Sequence, residues 1–432
     1  MTRLTARLAV TAFAALAPVA SVTAQGLTAI RAGRLIDVER GEVRRDQLLL
    51  VRGARIEAIL PASAQVPSEA RLIDLSRYTV LPGLIDCHAH LVGDAAGADV
   101  LLPLERSEAQ EAFSGLRNAR ATLLAGFTTV RDVGTYRAFV DVALRDAVNN
   151  GSVIGPRMKV AGAYVTVSTG AGELVGAAPD VTIPASFRYG VANSADQVRE
   201  RVRAILNGGA DFIKILATGA VFTRGTKPGV SEYTEDQLRA AVEQAAEYGT
   251  FVAAHAHGAE GIKRAVRAGV RSIEHGSLMD DEAIALMKER GTWLVADIWN
   301  GDYTDSVGRE QKWPDDILRK NTETTEIQRV GFRKAVARGV KVAYGTDSGI
   351  YPHGLNAMQL PYMVKYGMSP MQAIQSATIS AADLMQWTDS VGSLKPGKYA
   401  DIIAVEGDAL ADLRSFRKVG FVMKGGVVYK HP

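Results

Sequence analysis

The stretch VLPGLIDCHAHLVGD (residues 80–94) places two histidines directly after a run of apolar residues. Residues 79–85 predict a buried strand, in which side chains two positions apart point to the same face. His88 and His90 would therefore point the same way, and Asp86 would share their face. Two imidazoles in this position are compatible with a polar loop or with a metal site, and the pair alone does not decide between the two.

The N-terminal segment differs from the rest of the chain. Two arginines precede the apolar residues 8–20, and Val22-Thr23-Ala24 follows them. A basic start, a short apolar segment and a small-residue exit are typical of a secretory signal peptide, and the segment is too short to span a bilayer. We predict that residues 1–24 are a signal peptide cleaved near Ala24, which would export the mature protein to the periplasm or the medium. An unusual apolar helix is the alternative.

The composition sets broad limits on the class of protein. The chain has 432 residues, of which 47% are hydrophobic, so it can bury a large core. The formal net charge is +3, and no block of basic residues indicates nucleic-acid binding. Cys87 is the single cysteine, which excludes an intrachain disulfide. Strand alternation points Cys87 away from the histidines, so we interpret it as a packing residue.

Both ends of the chain read as short strands separated by turns, as in QLLLVRGARIEAIL near the N-terminus and KVGFVMKGGVVYK near the C-terminus. The simplest arrangement pairs the two ends in one small domain. We predict a β-sandwich domain built from residues 27–80 and 389–432.

The central part, residues 81–388, alternates strands and helices. Several strands follow a glycine that would end an amphipathic helix, and TEDQ at residues 234–237 fits a capping box at a helix start. Eight strands with intervening helices predict an α/β fold of the (β/α)8 TIM-barrel type. A doubly wound sheet is the alternative, but no G-x-G-x-x-G follows a strand. The predicted strands are VLPGLID, FTTVRDV, RMKVAGAYV, DFIKILATG, TFVAAHAHG, VRSIEHG, TWLVADIW and VKVAYGTD.

Polar side chains end several of these strands, at the face of a barrel where catalytic groups lie. Five of the seven histidines fall at such ends, whereas His353 lies in a loop and His431 at the tail. Imidazole and carboxylate are good ligands for zinc and similar divalent ions, so the pattern predicts a metal site. The strand-end residues are His88, His90, Lys214, His255, His257, His275 and Asp347.

Lys214 is the unusual member of this set. Phe212 and Leu216 share its face, so its side chain would point inward among apolar groups. Burial lowers the pKa of a lysine, and a neutral amine can react with carbon dioxide to give an anionic carbamate. The alternative is a lysine paired with a carboxylate such as Asp347 or Glu274. Otherwise we interpret Glu274 as a structural residue that points away from His275.

The motifs PGLIDCHAH, HAHG, IEHG and GTDS, the strand-4 lysine and the closing GSLKPGKYADIIAV resemble the metal-dependent amidohydrolase superfamily over essentially the whole mature chain. The chain is most similar to the imidazolonepropionase-like branch, which includes prolidase-like dipeptidases and hydrolases of ochratoxin-type amides. The resemblance implies two divalent metal ions, expected to be zinc. It implies that His88, His90 and Asp347 hold one ion, that His255 and His275 hold the other, and that N6-carboxylated Lys214 bridges both.

The activity that the resemblance implies is hydrolysis of the amide bond of a dipeptide or an N-acyl amino acid, ochratoxin-like amides included, by a metal-bridging hydroxide. Asp347 would be the catalytic residue that takes the proton of the water and passes it to the leaving amine. The partner would be a small amide or peptide substrate, with no nucleic acid and, for the mature form, no membrane. A homo-oligomer is left open.

Substrate contacts are less well defined by the sequence. Candidates are His257, Tyr233, Tyr164 and His353, with Arg224 and Lys227 in the long basic loop between residues 221 and 234. Loop packing or solvent exposure is the alternative for each. Many relatives have TGGHG after strand 3, where this chain reads VSTGAGEL from Val167, so the histidine contact of those relatives is expected to be missing.

Two other functions remain open at this point. A deaminase or cyclic-amide hydrolase of the same superfamily would have a mononuclear site, which usually lacks a bridging strand-4 lysine. A non-catalytic exported metal-binding protein would not need Asp347 as a proton carrier. Metal content near one per chain would favour the first, and a fully loaded protein without hydrolytic activity would favour the second.

Overall fold

The computed structural model describes residues 26–93, 99, 101–178 and 180–432, so the predicted signal peptide, residues 1–24, lies outside the described residues. The strands are β1 Leu27–Asp37, β2 Glu42–Arg52, β3 Arg55–Pro61, β4 Arg71–Pro82, β5 Leu84–Ala89, β6 Phe127–Asp132, β7 Arg157–Val160, β8 Tyr164–Val165, β9 Ile213–Leu216, β10 Val252–Gly258, β11 Ser272–Leu278, β12 Trp293–Val295, β13 Ile402–Glu406, β14 Val419–Lys424 and β15 Val427–Lys430.

The helices lie mainly between the central strands. They are α1 Leu102–Glu105, α2 Glu108–Leu124, α3 Val140–Asn149, α4 Ala195–Asn207, α5 Glu235–Glu247, α6 Ala259–Ala268, α7 Asp281–Arg290, α8 Asn300–Glu310, α9 Asp315–Ala337, α10 Gln359–Lys365, α11 Pro370–Ser376 and α12 Ile379–Leu384. Among the residues described, no helix is both long enough and apolar enough to cross a bilayer.

The central strands form two parallel sheets. One sheet has the order β5-β6-β7 and another has the order β12-β11-β10-β9-β8, and residues 161–163 connect β7 to β8. Residues 341–348 lie between the two free edges, because Leu294 N donates to Lys341 O (2.8 Å) and Cys87 N donates to Tyr344 O (2.8 Å). This α/β arrangement is consistent with the predicted (β/α)8 barrel.

The eighth predicted strand, VKVAYGTD, differs from the prediction. Backbone hydrogen bonds and isolated bridges at Val342 and Ser348 join this segment to its neighbours, but they form no continuous ladder, so it is not a regular strand. Gly345 gives a local reason, since a Cβ there would lie 2.2 Å from a Val295 side-chain atom. The close approach requires glycine and displaces the backbone from a regular ladder.

The predicted strand over residues 79–85 is divided into two at Gly83. β4 ends at Pro82 in the sheet of the chain ends, and β5 begins at Leu84 in the barrel. A Cβ at Gly83 would lie 2.1 Å from the Thr128 side chain, so only glycine allows the chain to pass from one sheet to the other here.

The two chain ends pair in one sheet. Its order is β15-β14-β13-β4-β1-β2-β3, and β4 from the N-terminal part pairs antiparallel with β13 from the C-terminal part. Buried apolar side chains from both parts share one cluster, for example Ile30, Leu49, Ile402 and Phe421. The two ends of the chain therefore meet through β4 and β13. The hydrogen bonds join all seven strands in one sheet, so the two-layer sandwich stays a prediction.

The helix ends agree with the sequence signals. Thr234 and Gln237 form the predicted capping box of α5. Gly269 ends α6 with φ of 96° and Gly291 ends α7 with φ of 67°, left-handed conformations that glycine adopts without a Cβ penalty. Because these caps fix where β11 and β12 begin, they also fix which residues reach the carboxyl ends of those strands.

Candidate metal centre

The predicted ligands converge at the carboxyl ends of the barrel strands. His88, His90 and Asp347 form one group, and His255, His257 and His275 form a second, with ligand atoms in each group within 4.8 Å of one another. The rings of His88 and His275 lie 4.8 Å apart, which joins the two groups. Residues far apart in the chain therefore meet in one buried cluster.

The first pair, His88 and His90, has one ring nitrogen of each residue occupied by a protein acceptor. His88 Nδ1 donates to Glu274 (2.9 Å) and His90 Nδ1 donates to the carbonyl of Gly134 (2.8 Å). The Nε2 atoms lie 3.4 Å and 3.3 Å from Asp347 Oδ1. Since a partner on one nitrogen fixes the tautomer, both residues offer Nε2 to a shared cation beside Asp347.

The second pair, His255 and His257, is held differently. His257 Nδ1 lies 2.7 Å from Ser277 Oγ, which leaves Nε2 free, whereas His255 Nε2 lies 3.3 Å from the carbonyl of Gly219, which leaves Nδ1 free. His275 donates Nδ1 to Asp297 (3.1 Å) and keeps Nε2. All five histidines thus have one nitrogen engaged by the protein and one available within the cluster.

Lys214 lies in β9, with only 2% of its surface exposed, and lines the same cavity as the histidines. Burial lowers the pKa of Lys214 to about 8, although Glu274 opposes this effect. Within the described residues, no hydrogen bond or ion pair within 4.0 Å joins its ammonium to a carboxylate. The alternative of a direct salt bridge to Asp347 or Glu274 is therefore wrong.

The protonation states suit metal ligation. Burial lowers the pKa of His88 and lowers that of His255 well below its usual range, so both imidazoles are neutral at pH 7. For Asp347, burial alone would raise the pKa, but the adjacent imidazoles of His88 and His90 outweigh it and hold the pKa well below 3.8. Burial would lower the pKa of His90, but Asp347 raises it. Neutral imidazoles and an ionised carboxylate are the ligand forms that a divalent cation requires. His88, His255 and Asp347 are in these forms, whereas the raised pKa of His90 means that a cation would displace a proton from it.

Glu274 supports the first pair from below. Its carboxylate is fully buried and accepts hydrogen bonds from Arg131 Nη2 (2.7 Å), Ser272 Oγ (2.5 Å) and His88 Nδ1. Burial alone would raise the pKa of Glu274, but the Arg131 guanidinium and His88 outweigh it and hold the pKa far below 4.5. The structural role predicted for Glu274 therefore extends to fixing the tautomer of a ligand.

Two members of the cluster have left-handed backbone, His275 with φ of 69° and Asp347 with φ of 56°. Such residues cost about 1–3 kcal/mol each and are common at functional sites. Asp347 N donates to the carbonyl of His88 (2.7 Å), which holds the turn beside the first pair. Asp86 holds the same turn, because it accepts Thr346 Oγ1 (2.6 Å) and Asn356 Nδ2 (2.8 Å).

Of the predicted substrate contacts, His257 and Tyr164 line the cavity, whereas Tyr233 and His353 do not. The Tyr164 hydroxyl lies 3.0 Å from Gly134 O and 3.2 Å from His90 Nδ1. The prediction that Tyr233 contacts the substrate is wrong, because its ring is buried in the main core and its hydroxyl donates to Ala192 O (2.9 Å).

The prediction that His353 contacts the substrate is also wrong. Its Nε2 donates to the carbonyl of His90 (2.9 Å) and its Nδ1 lies 3.0 Å from Thr122 Oγ1, so it supports the backbone of a ligand from outside the cavity. Arg224 and Lys227 are exposed and do not line the cavity.

Sequence reasoning missed several polar residues of the site. Asp297 accepts His275 Nδ1 and Gln328 Nε2 (2.8 Å), and Asn300 Nδ2 lies 3.2 Å from both Asp297 Oδ2 and Asp347 Oδ2. Asp297 follows β12 by two residues, so the strand-end rule used for the other strands would have found it. Arg137 also lines the cavity. It lies in a loop five residues beyond the end of β6, so strand alternation does not predict the direction of its side chain.

The cavity above the cluster has about 1440 Å³ of empty space, counted with its open mouth. Its apolar part is lined by Val92, Leu216, Val221, Phe222 and Ile350. Gly172, in the loop that lacks the histidine of many relatives, also lines it, and a Cβ there would lie 3.0 Å from side-chain atoms of Leu216, Thr166 and Tyr164. A mixed lining with a few placed polar groups is typical of small-molecule sites.

Comparison with known proteins places this geometry in a family. A model of the amidohydrolase family matches residues 79–429. Ochratoxinase from Aspergillus niger is 32% identical over 96% of this chain and 89% of its own length. Imidazolonepropionase from Brevibacillus brevis is 24% identical over 83% of each chain.

Solved structures give the same family over nearly the whole chain. A Xaa-Pro dipeptidase with bound methionine in its active site has 37% identity and a TM-score of 0.86, covering 94% of this chain and 100% of its own. A prolidase in complex with N-methylphosphonate-L-proline has 30% identity and a TM-score of 0.87 with the same coverage. The A. niger ochratoxinase structure has 29% identity and a TM-score of 0.83, covering 94% and 96%.

Proposed function

This chain belongs to the amidohydrolase family and is a hydrolase of C–N amide bonds, and we propose that it cleaves the amide of a dipeptide or an N-acyl amino acid at a binuclear metal centre. The observation that carries the proposal is the position of Lys214, a buried lysine with no ion pair within 4.0 Å among the described residues, which shares a cavity with two groups of metal-ligating side chains.

The donor set fits two cations. Each histidine of the cluster has one nitrogen held by the protein and the other free, and Asp347 is ionised beside the first pair. Imidazole and carboxylate donors of this kind are typical for zinc, and two zinc ions would supply Lewis acidity and an ionised water at neutral pH. In the proposal His88, His90 and Asp347 hold one ion, and His255 and His275 hold the other.

Lys214 would be the bridge between the two ions. With a pKa of about 8, about one tenth of the amine is neutral at pH 7. The neutral amine adds to carbon dioxide through its lone pair and releases one proton, which gives an N6-carboxylate with two oxygen donors. Carboxylation would convert Lys214 from a cation into an anion, whose charge two cations would balance.

Asp347 would carry the proton. Its carboxylate accepts a proton from the attacking water and delivers it to the nitrogen of the leaving amine as the C–N bond breaks. Asn300 Nδ2, 3.2 Å from Asp347 Oδ2, donates to the carboxylate and restrains its orientation. His257 and Tyr164 line the cavity and would contact the substrate.

The substrate class is supported by the cavity and by the relatives. The apolar wall suits the acyl or side-chain part of an amide, and polar groups cluster near the ligands. The similar structures include a Xaa-Pro dipeptidase and a prolidase, and the similar sequences include ochratoxinase. These names favour an amide that links an acyl group to an amino acid, and ochratoxin-like amides fall within that class.

A library of dipeptides and N-acyl amino acids, assayed with the zinc-loaded protein, tests the proposed function. We expect hydrolysis of a subset of related members with release of the free amino acid. If the fully loaded protein hydrolyses no member but deaminates or opens cyclic amides, the substrate assignment is wrong.

We also propose export of the mature protein, on the basis of the signal-peptide pattern in residues 1–24. Fractionation of cells that express the full chain, with N-terminal sequencing of the product, tests this. An uncleaved protein retained in the cytoplasm would contradict it.

A further inference from the structure

Arg137 and Lys214 are the two cationic side chains, histidines aside, among the described residues that line the cavity. Under the proposed function Lys214 is occupied by the metal centre. A substrate with a free carboxylate needs a counter-charge, and the basic loop residues predicted for this role, Arg224 and Lys227, are exposed outside the cavity. Arg137 is therefore the cation that remains to meet an anionic group of the substrate.

The guanidinium of Arg137 is held in place by neutral groups. Its Nη2 donates to the carbonyls of Arg106 (2.8 Å) and Pro103 (3.3 Å), at the end of α1. Its Cζ lies 4.4 Å from the ring centre of Phe187, a stacking contact that fixes the plane of the group. The side chain is thus oriented before any ligand arrives, and no carboxylate of the described residues forms an ion pair with it.

Arg137 keeps donors for a further partner. Its Nη1 donates to none of the described residues, whereas its Nε is buried without a partner and has no exposed surface, so Nη1 is the donor left for a ligand. Two carboxylates line the same cavity, but Glu111 pairs with Arg106 (3.8 Å) and Asp99 accepts Leu101 N (3.0 Å). Neither lies within 4.0 Å of Arg137 as an ion pair. A carboxylate ligand that contacts Nη1 would form a charge-assisted hydrogen bond with the guanidinium.

The cavity wall connects Arg137 to the metal centre. The ring of Tyr136, the preceding residue, lies 5.4 Å from that of Tyr164 in an edge-on contact, and Tyr164 reaches His90 Nδ1 at 3.2 Å. Both tyrosines line the cavity. A substrate with its amide at the ligands would extend along this aromatic wall, and a carboxylate on it would meet the guanidinium.

We propose that Arg137 binds a carboxylate of the substrate and so selects N-acyl amino acids and peptides with a free carboxylate over their neutral analogues. This inference rests on the proposed function and deepens it. The assignment concerns recognition alone, because no contact places Arg137 at the reacting atoms.

The test compares two substrates that differ only in charge. The best N-acyl amino acid of the library is assayed beside the same molecule with its carboxylate converted to a primary carboxamide, using zinc-loaded wild type and Arg137→Gln. We expect wild type to prefer the carboxylate, and Arg137→Gln to lower kcat/KM for the carboxylate by about 10²-fold, mainly through KM. The carboxamide should change by less than about threefold.

Two further variants keep the result interpretable. Arg137→Lys retains the charge without the planar fork and should keep part of the preference. Arg224→Gln removes an exposed arginine outside the cavity and should change neither substrate. Zinc content and the thermal unfolding midpoint of each variant show whether Arg137→Gln remains folded, and Arg137→Lys carries the comparison if it does not.

The outcomes separate this inference from the proposed function. If wild type hydrolyses both substrates equally, or if the preference survives in Arg137→Gln, the inference is wrong while the proposed function stands. If wild type hydrolyses neither substrate nor any library member, the proposed function and the inference fail together.

Discussion

The two H-x-H pairs of the barrel are alike in sequence and different in surroundings. His88 and His90 end β5, and His255 and His257 lie near the end of β10. The first pair has acceptors on both Nδ1 atoms and faces the carboxylate of Asp347 with both Nε2 atoms. The second pair is held by Gly219 O through Nε2 of one residue and by Ser277 through Nδ1 of the other.

The difference teaches that spacing places a histidine on a face, whereas its hydrogen-bond partner decides which nitrogen it offers. In the first pair both residues are oriented as equivalent ligands of one cation. In the second pair the two residues are not equivalent, which agrees with the assignment of His255 to the metal and His257 to the substrate. The predictions below test this contrast.

The largest effect should come from the carboxylate that the first pair shares. Asp347→Asn keeps the shape of the side chain but removes its charge and its ability to carry a proton. We expect kcat to fall by about 10²- to 10⁴-fold, with the fold retained. Circular dichroism and steady-state kinetics check this, and near-normal turnover would remove Asp347 from the role of proton carrier.

The second pair should divide into two different phenotypes. His255→Ala should lose zinc from the second position, whereas His257→Ala should keep both ions and lower kcat/KM by about tenfold through a lost substrate contact. Metal analysis of the dialysed variants distinguishes them. If His257→Ala loses zinc and His255→Ala does not, the roles of the two residues are the reverse of those assigned.

Substitution of the hydrogen-bond partners of the two pairs, Glu274 beside His88 and Ser277 beside His257, should affect zinc binding differently. Glu274→Gln should weaken zinc binding about 10- to 100-fold because His88 loses its anionic partner, and it should destabilise the protein by about 3–5 kcal/mol because Arg131 stays buried and uncompensated. Ser277→Ala, which removes the partner of His257, should leave zinc affinity unchanged.

Chelator competition and urea unfolding measure these effects. Equal losses of zinc affinity in Glu274→Gln and Ser277→Ala would show that His257 is as much a ligand as His88. That result would remove the contrast between the pairs.

The smallest effect concerns Glu232, a half-buried carboxylate that forms no ion pair with the described residues, in contrast to the fully buried Glu274. Glu232 accepts Ala171 N (2.9 Å), and burial raises its pKa from 4.5 to about 7. Between these values the folded protein binds more protons at this residue than the unfolded chain does, so stability falls as the pH rises from about 4.5 to about 7.

Glu232→Gln should remove the part of the loss of stability with rising pH that comes from the titration of Glu232. Relative to wild type, its free energy of unfolding should rise by about 1–3 kcal/mol between about pH 4.5 and about pH 8. Urea unfolding at the two pH values measures the difference. A constant difference between variant and wild type would show that Glu232 does not titrate differently in the folded state.

The parts of the molecule that follow from local pattern could be predicted from the sequence. Strand alternation placed His88 with His90 and predicted Cys87 as a packing residue, and Cys87 is fully buried among apolar side chains. Helix caps such as Gly269 marked the start of the next strand. The strand-end rule then brought together Lys214 and the histidines, because all parallel strands of a barrel end on the same face.

The parts that depend on packing between distant segments could not be predicted. Tyr233 and His353 lie in loops, where side-chain direction is set by Ala192 O in one case and by His90 O in the other. The irregular segment at Gly345 depends on contact with Val295, which is remote in the chain. Arg137 was missed for the same reason, since its position depends on the carbonyls of α1 and on Phe187.

The zinc content of the loaded protein and of Lys214→Ala tests the central claim most directly, because Lys214 is the residue that would join the two cation positions. We predict about two zinc ions per chain in wild type and about one in Lys214→Ala, with partial recovery of activity when a short carboxylic acid is added. About one ion per chain in wild type, or two ions and full activity in Lys214→Ala, would contradict a binuclear centre bridged by this lysine.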